Sequence, residues 1–268
     1  MELSALQYLI GAAAGAFVGF VLGLIGGGGS VLALPLMLYA VGVRDAHLAV
    51  GTSALAVAAN AAATALNHSR IGTVRWQVAL PFAAAGVCGA WLGSLAGKAL
   101  DGQKLLGCFG LLMLVVGGLM LRHRSSGAAR AAAPARPRRA LLLAIGVLTG
   151  ALSGFFGIGG GFLIVPGLVY AARLPMLAAV GSSLIAVTAF SLTAALNYAR
   201  SGWVEWPLAA IFALGGLAGG MAGAGLARRL SKRRGTLELL FAALILGVGL
   251  YVLYRSAAAL GLLTGAAA

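Results

Sequence analysis

The chain has 268 residues, of which 61% are hydrophobic and 9% charged, whereas soluble domains are about half apolar and a quarter charged. This composition excludes an ordinary water-soluble globular protein. The net charge of +14 does not indicate nucleic-acid binding, because the Lys and Arg residues lie between apolar runs and no polar segment is long enough for a soluble nucleic-acid module.

Apolar runs of about 18 or more residues predict spanning helices, because about 20 residues cross the hydrocarbon core. The first half is predicted to contain five apolar segments: 4–25, 30–42, 45–67, 75–97 and 103–121. The second half is predicted to contain five more: 140–156, 161–172, 176–199, 205–227 and 236–254. The short segments 30–42 and 161–172 either span the membrane or re-enter it. The first segment lacks the positive flank of a secretory signal and is interpreted as a retained helix.

One polar, basic, Pro-containing stretch separates the two halves. It divides the chain into an N-terminal transmembrane repeat (1–122), a basic linker expected in the cytoplasm (123–139) and a C-terminal transmembrane repeat (140–268). Such a composition is typical of a linker between helical units.

The two halves are a duplication of one another. The glycines and a proline of the first half recur 131 residues later, as in the series Gly15, Gly19, Gly23, Gly26, Gly28, Gly29 and Pro35. At an offset of 130, Gly51-Thr52-Ser53 recurs as Gly181-Ser182-Ser183, and the pattern Asn-x-x-Arg-x-Gly-x-Val-x-Trp that begins at Asn67 recurs at Asn197.

The basic residues predict how the halves are oriented. If each half crosses the membrane an odd number of times, the repeats are inverted and fourteen of the nineteen Lys and Arg residues lie on one side. An even number gives parallel repeats and a split of ten to nine. The positive-inside rule favours the first arrangement. We therefore predict an all-α polytopic membrane protein of two inverted repeats with glycine-broken or re-entrant helices and both termini outside the cytoplasm.

Two glycine runs interrupt the apolar stretches and are candidate cargo-binding segments. Glycine lets the backbone approach a ligand, and a helix start presents free N–H groups and a positive dipole end. We expect two short helices, each ending near a Pro-containing turn, to face each other near the membrane midplane and bind an anion. Tight helix packing is the alternative, and we adopt it for the spaced glycines. The candidates are Gly26, Gly27, Gly28, Gly29, Ser30, Gly157, Gly159, Gly160 and Gly161.

Duplicated polar residues near the ends of long helices are further candidates. The hydroxyls of Thr52, Ser53, Ser182 and Ser183 either cap helices or contact cargo, and their duplication favours cargo. Arg70 and Arg200 are each either a snorkelling interfacial side chain or part of an anion vestibule. Asn67 and Asn197 are either interfacial caps or cargo ligands, and Trp76 and Trp206 are predicted to anchor the membrane interface.

Several functional classes lack support in the sequence. The five acidic residues all lie away from the span centres, which disfavours proton relays and cation sites. No ATPase or hydrolase motif is present, so we expect neither enzymatic activity nor a cofactor or metal. Cys88 and Cys108 stand alone in apolar runs and are predicted to be small buried side chains.

Three duplicated features resemble the sulfite exporter TauE/SafE family, also called the 4-toluene sulfonate uptake permease family. They are the glycine break followed by a proline, the Gly-Thr-Ser motif and the Asn-x-x-Arg-x-Gly-x-Val-x-Trp motif. The resemblance covers nearly the whole chain except the linker and the last dozen residues. It implies a multi-pass carrier of the bacterial plasma membrane that exports sulfite, an organosulfonate or a related small anion. Ile158 stands where a fully symmetric second run would have glycine.

Three functional hypotheses remain at this point. The first is alternating-access transport of a small anion between the two repeats within the lipid bilayer. The second is a non-transporting membrane subunit or assembly factor that docks a partner through its basic linker. The third is a channel. The sequence leaves the oligomeric state, the coupling ion and the identity of the cargo open.

Overall fold

The computed structural model describes residues 4–25, 27–125, 139–230 and 236–259. Within these ranges the chain forms helices and no strands, which confirms the all-α prediction. The helices of the first half are α1 Ala5–Ile25, α2 Ala33–Pro35, α3 Ala46–Arg70, α4 Trp76–Ala99 and α5 Gly102–Ser125. Those of the second half are α6 Arg139–Phe156, α7 Gly161–Ala172, α8 Met176–Ala199, α9 Trp206–Leu230 and α10 Thr236–Ala259.

Each of the ten predicted segments corresponds to a helical segment whose bounds differ by a few residues. The short segment of the first half is composite: a 3-10 turn at Gly27–Leu32 leads into α2, and a π-helical turn at Leu36–Ala40 follows it. In the described residues, seven helices (α1, α3, α4, α5, α6, α8 and α9) are long and apolar enough to cross a membrane. The chain is therefore a multi-pass membrane protein.

Two predictions about local structure are wrong. Pro35 and Pro166 do not end the short helices, which continue to Ala40 and Ala172; proline is tolerated inside membrane helices because neighbouring groups replace the missing hydrogen bond. The second concerns the cysteines: Cys88 and Cys108 are exposed on the surfaces of α4 and α5. A small apolar side chain on a spanning helix need not be buried, because lipid is as apolar as a protein core.

Helices of both halves combine in each of two compact units. The larger unit comprises the described parts of Met1–Lys98 and Ala131–Arg229, and thus α1 to α4 and α6 to α9. The smaller lies within Ala99–Arg130 and Leu230–Ala268 and pairs α5 with α10. Most of the predicted linker, 126–138, lies outside the described residues; 123–125 end α5, and Arg139 begins α6.

In the smaller unit, α5 and α10 are antiparallel. Gly107 faces Ser256 near the end of α10, whereas Gly117 faces Leu246 near its middle. The Ser256 hydroxyl donates to the carbonyl oxygen of Gln103 at 2.9 Å. The two repeat-equivalent helices therefore pack in opposite directions.

In the larger unit, the spaced glycines let helices of opposite halves approach closely. A Cβ at Gly15 would overlap the carbonyl of Phe212 on α9, and a Cβ at Gly19 would overlap that of Gly216. The equivalent contact joins α6 to α4: a Cβ at Gly150 of α6 would overlap the carbonyl of Gly86 on α4. The prediction that these glycines serve helix packing is confirmed.

The central pair, α3 and α8, is antiparallel and reciprocal. Gly51, near the start of α3, packs against the carbonyl of Trp203 just beyond the end of α8. Gly181, near the start of α8, packs against Thr73 just beyond the end of α3. Gly181 and Trp203 lie 130 residues after Gly51 and Thr73, so the two contacts are repeat equivalents. A pseudo-two-fold axis therefore relates the halves within this unit.

Each half also contains a hairpin with a glycine run at its tip. In the first half, Nε2 of Gln7 donates to the carbonyl of Val41 at 3.1 Å, which joins the start of α1 to the residue after the composite segment. In the second half, Gly160 lies against Ser153 near the end of α6, and Gly167 lies against Ile145 near its start. The chain thus reverses at each glycine run and returns alongside the preceding helix.

Candidate functional site

The second glycine run forms a tight turn between α6 and α7. Gly157, Gly159 and Gly160 have φ angles of 66°, 72° and 59°, in the left-handed region that side-chain-bearing residues rarely adopt. Gly160 precedes α7, whose first turn has no side-chain cap, and Gly161 is its first residue. Ile158 has an ordinary φ and is buried, so this departure from a symmetric glycine run contributes to the core and does not disturb the turn.

The first glycine run has a different geometry. Gly27, Gly28 and Gly29 lie in the 3-10 turn Gly27–Leu32, and the φ angle of Gly29 is outside the left-handed region; Gly26 lies outside the described residues. Ser30 in the same turn is fully buried. The two runs, expected to form equivalent helix starts, therefore differ: the second makes a left-handed turn before an α-helix, and the described part of the first lies within a 3-10 turn.

The second run lies where α3 and α8 cross. A Cβ at Gly159 would lie 3.3 Å from Cγ1 of Val57 on α3 and 2.9 Å from Cγ1 of Val187 on α8. These two valines are repeat equivalents, and each is close to the middle of its helix. Gly159 is therefore close to the pseudo-two-fold axis. The 3-10 turn of the first half also packs against α7 and α8, so both glycine segments reach this central region.

The hydroxyls of Thr52 and Ser182 hold the turns of the opposite half. Oγ1 of Thr52 accepts a hydrogen bond from the backbone N–H of Glu205 at 3.0 Å. Oγ of Ser182 accepts one from the backbone N–H of Arg75 at 2.9 Å. Both hydroxyls are fully buried, and the two bonds are related by the repeat. Each therefore satisfies a backbone group in the turn that precedes α9 or α4.

The hydroxyls of Ser53 and Ser183 bond to their own helices. Oγ of Ser53 donates to the Val50 carbonyl at 3.1 Å, and Oγ of Ser183 donates to the Val180 carbonyl at 2.8 Å. Ser53 lies between Val50, which faces Gly157, and Val57, which faces Gly159. On a helix, residues three and four apart share a face, so Ser53 flanks the second glycine run.

Asn197 belongs to a polar cluster at one end of α4 and α8. Its Oδ1 accepts from Nζ of Lys98 at 2.7 Å, and its Nδ2 donates to Oγ of Ser94 at 2.6 Å. Nζ of Lys98 also donates to the hydroxyl of Ser201 at 3.1 Å. The nearby Arg200 guanidinium lies 5.0 Å from the ring centroid of Trp91, at cation–π distance.

The remaining polar candidates lie at helix ends. Asn67 is half-buried, and its carbonyl accepts from Ile71 N–H as α3 ends; Arg70 is exposed in the last turn. Trp76 and Trp206 are exposed at the first residues of α4 and α9, as expected of interface anchors.

Three acidic residues also lie at helix starts. The Asp45 carboxylate accepts from Leu48 N–H at 2.9 Å, and the Asp101 carboxylate accepts from Gln103 N–H at 3.0 Å. Glu205 directly precedes α9. Asp45 and Asp101 therefore cap helices, and the three lie away from the middle of the spans.

A family model described as "Sulfite exporter TauE/SafE" matches residues 11–252, nearly the whole set of helices described above. The chain belongs to the sulfite exporter TauE/SafE family. A protein of Xylella fastidiosa (strain 9a5c), named "Probable membrane transporter protein", is 49% identical over 267 residues, which cover 97% of this chain and 99% of the relative. "Probable membrane transporter protein YunE" of Bacillus subtilis (strain 168) is 24% identical over 271 residues, covering 93% and 98%. No solved structure gives a significant match.

In this TauE/SafE protein the candidate residues separate into two groups. The glycine segments meet at the α3–α8 crossing together with Ser53. Thr52 and Ser182 bind turns of the opposite half, Asn197 binds Lys98 and Ser94, and Arg200 lies over Trp91. Arg70 is in the last turn of α3. Arg200 lies nine residues beyond Ser191, which contacts the second glycine run. Because nine residues of α-helix span about 13 Å, the backbone of Arg200 is about that far along α8 from the run.

Sequence reasoning missed several buried polar residues, including three in the helix interiors. Asn60, Ser153 and Ser191 are at most 1% exposed, and their side-chain polar atoms have no hydrogen-bond partner among the described residues. Their repeat equivalents are Phe190, Leu22 and Ala61. The signal that could have identified these residues is that each is polar whereas its repeat equivalent is apolar. Packing alone requires no such difference between the halves.

Proposed function

We propose that this chain carries a small sulfur-containing oxyanion, such as sulfite or an organosulfonate, across the bacterial inner membrane in the direction of export. The observation that carries the proposal is the uncapped start of α7, which follows three left-handed glycines where α3 and α8 cross. Backbone N–H groups at a helix start, together with the positive end of the helix dipole, attract anions without a lysine or arginine.

The proposed membrane arrangement is an inverted repeat. Support comes from the antiparallel packing of the equivalent helices α3 and α8, and separately of α5 and α10. A two-fold axis perpendicular to spanning helices lies in the membrane plane and relates halves of opposite orientation. The two hairpins then enter from opposite sides, each with its glycine run at the tip.

Transport would proceed by alternating access around the central region. Each hairpin packs on helices of the other half, so a tilt of one repeat would open the glycine runs to one side and close them to the other. The glycine-mediated contacts between α1 and α9 and between α4 and α6 bring backbones close without interlocking side chains. Such surfaces permit small sliding movements between helices.

The test is thermal unfolding of the purified full chain with sulfite, sulfate, short organosulfonates and carboxylates of matched charge. Ligands that bind only the folded protein raise its melting temperature as concentration exceeds Kd. We expect sulfite or an organosulfonate to raise it more than carboxylates do. Stabilisation by carboxylates alone would reject the sulfur-containing cargo, and no stabilisation by any anion would reject anion binding by the isolated chain.

A further inference from the structure

Two fully buried hydroxyls beside the second glycine run have no hydrogen-bond partner. Ser153 on α6 and Ser191 on α8 are both 0% exposed, and neither Oγ has a partner among the described residues. A buried hydroxyl left unpaired destabilises a fold. Such a group is therefore expected where a ligand completes the bond.

Other hydroxyls on the same helices bond back to their own backbone. Oγ1 of Thr149 donates to the Ile145 carbonyl, Oγ1 of Thr188 to the Leu184 carbonyl, and Oγ1 of Thr193 to the Ala189 carbonyl, each at 2.7 Å. Inside a helix, the carbonyl four residues earlier is a common hydrogen-bond partner for a serine or threonine hydroxyl. Ser153 and Ser191 do not make this bond.

Both unpaired hydroxyls lie against the left-handed turn. A Cβ at Gly159 would overlap Oγ of Ser191, and a Cβ at Gly160 would lie 3.3 Å from Oγ of Ser153. The N–H groups of Leu163 and Ile164 both donate to the Gly160 carbonyl, so the N–H groups before them in the first turn of α7 have no partner within the helix. Hydroxyl donors and helix-start donors thus occur around one turn.

The first glycine run has no such hydroxyls at the equivalent positions. Leu22 stands where the second half has Ser153, and Ala61 stands where it has Ser191. Gly29 packs against the backbone of Leu22. The pseudo-two-fold axis therefore relates the two unpaired hydroxyls at the second run to a leucine and an alanine at the first.

We propose that a single oxyanion binds asymmetrically at the second glycine run, with the hydroxyls of Ser153 and Ser191 donating to its oxygens beside the start of α7. The inference rests on the proposed function and assigns its binding residues. Two hydroxyl donors and free backbone donors suit a compact anion with several terminal oxygens, such as sulfite or a sulfonate head group. Leu22 and Ala61 supply no matching donors on the side of the first run.

The test measures anion affinity and ligand-free stability of Ser153→Ala and Ser191→Ala. Each variant should weaken sulfite binding about tenfold or more, as expected for a hydrogen bond to a charged group. Each should leave the ligand-free melting temperature unchanged or raised, because an unpaired hydroxyl is removed. The matched control is Ser256→Ala, whose hydroxyl is buried and paired with Gln103; it should lower the melting temperature and leave affinity unchanged.

A second variant tests the asymmetry. Ala61→Ser introduces at the first run the hydroxyl that Ser191 supplies at the second, and it should leave sulfite affinity unchanged. Affinity equal to the wild type in both alanine variants would overturn the inference while leaving the proposed function intact, as would a tenfold gain in Ala61→Ser. If the wild type itself binds no oxyanion, the proposed function fails, and the inference fails with it.

Discussion

The side chain of Thr52 accepts a hydrogen bond from the backbone N–H of Glu205 at 3.0 Å, across the boundary between the two halves. The repeat supplies the matching bond from Arg75 N–H to Ser182. Each half therefore secures the turn before a long helix of the other. This exchange accounts for the hydroxyls of Thr52 and Ser182 at the same place in both repeats without requiring contact with cargo.

Replacing Thr52 with valine should destabilise the protein and spare anion binding. The substitution keeps the side-chain shape but leaves the part-buried N–H of Glu205 without its acceptor, at a cost of about 1 kcal/mol. Thermal unfolding of the purified protein measures the loss. Thr64→Val is the control, because that hydroxyl bonds to the Asn60 carbonyl of its own helix. A Thr52 variant of normal stability that no longer binds anion would assign this hydroxyl to the cargo.

Replacing Gly19 with alanine should destabilise the contact between α1 and α9. The added Cβ would overlap the Gly216 carbonyl, and overpacking of this kind costs about 1 to 3 kcal/mol. Gly118→Ala is the control, since a Cβ there meets nothing within 4 Å and alanine favours helix over glycine by up to about 1 kcal/mol. Equal melting temperatures for the two variants would contradict the close approach of α1 and α9.

Replacing Asn197 with alanine should cost more stability than replacing its repeat equivalent, Asn67. The first change removes the 2.7 Å acceptor of the Lys98 ammonium and the 2.6 Å donor to Ser94, and a bond to a charged group contributes about 1.5 to 3 kcal/mol. Asn67 is only half-buried. Parallel melts of the two variants measure the difference, and equal losses would show that the cluster around Lys98 does not stabilise the fold.

The proposed inverted topology predicts on which side of the membrane each fusion point lies. A reporter that fluoresces only in the cytoplasm should be bright after residue 130, in the basic linker, and dark after residue 268. The physical reason is the excess of Lys and Arg expected on the cytoplasmic side. A bright fusion at residue 268 would contradict inversion, provided that the fusion after residue 130 is also bright.

The duplication predicted much of the fold because glycine spacing and helix packing are linked. Gly15 and Gly19 recur as Gly146 and Gly150, and the structure uses both pairs where helices of opposite halves touch. The partner of Thr52 could not be predicted, since it is a backbone N–H that only the reciprocal packing of α3 and α8 brings near. Ser153 and Ser191 were missed because no spacing rule tells whether a helical serine bonds back to its own helix.

Sulfite flux into liposomes that contain only this purified protein shows whether the isolated chain moves a small oxyanion across a membrane. We expect flux that saturates with sulfite concentration and is slowed in the Ser153→Ala, Ser191→Ala double variant. Protein-free liposomes and the Ser256→Ala variant serve as controls. Absence of flux unless a partner protein is added would contradict the carrier and favour a membrane subunit, and rapid flux that does not saturate would favour a channel.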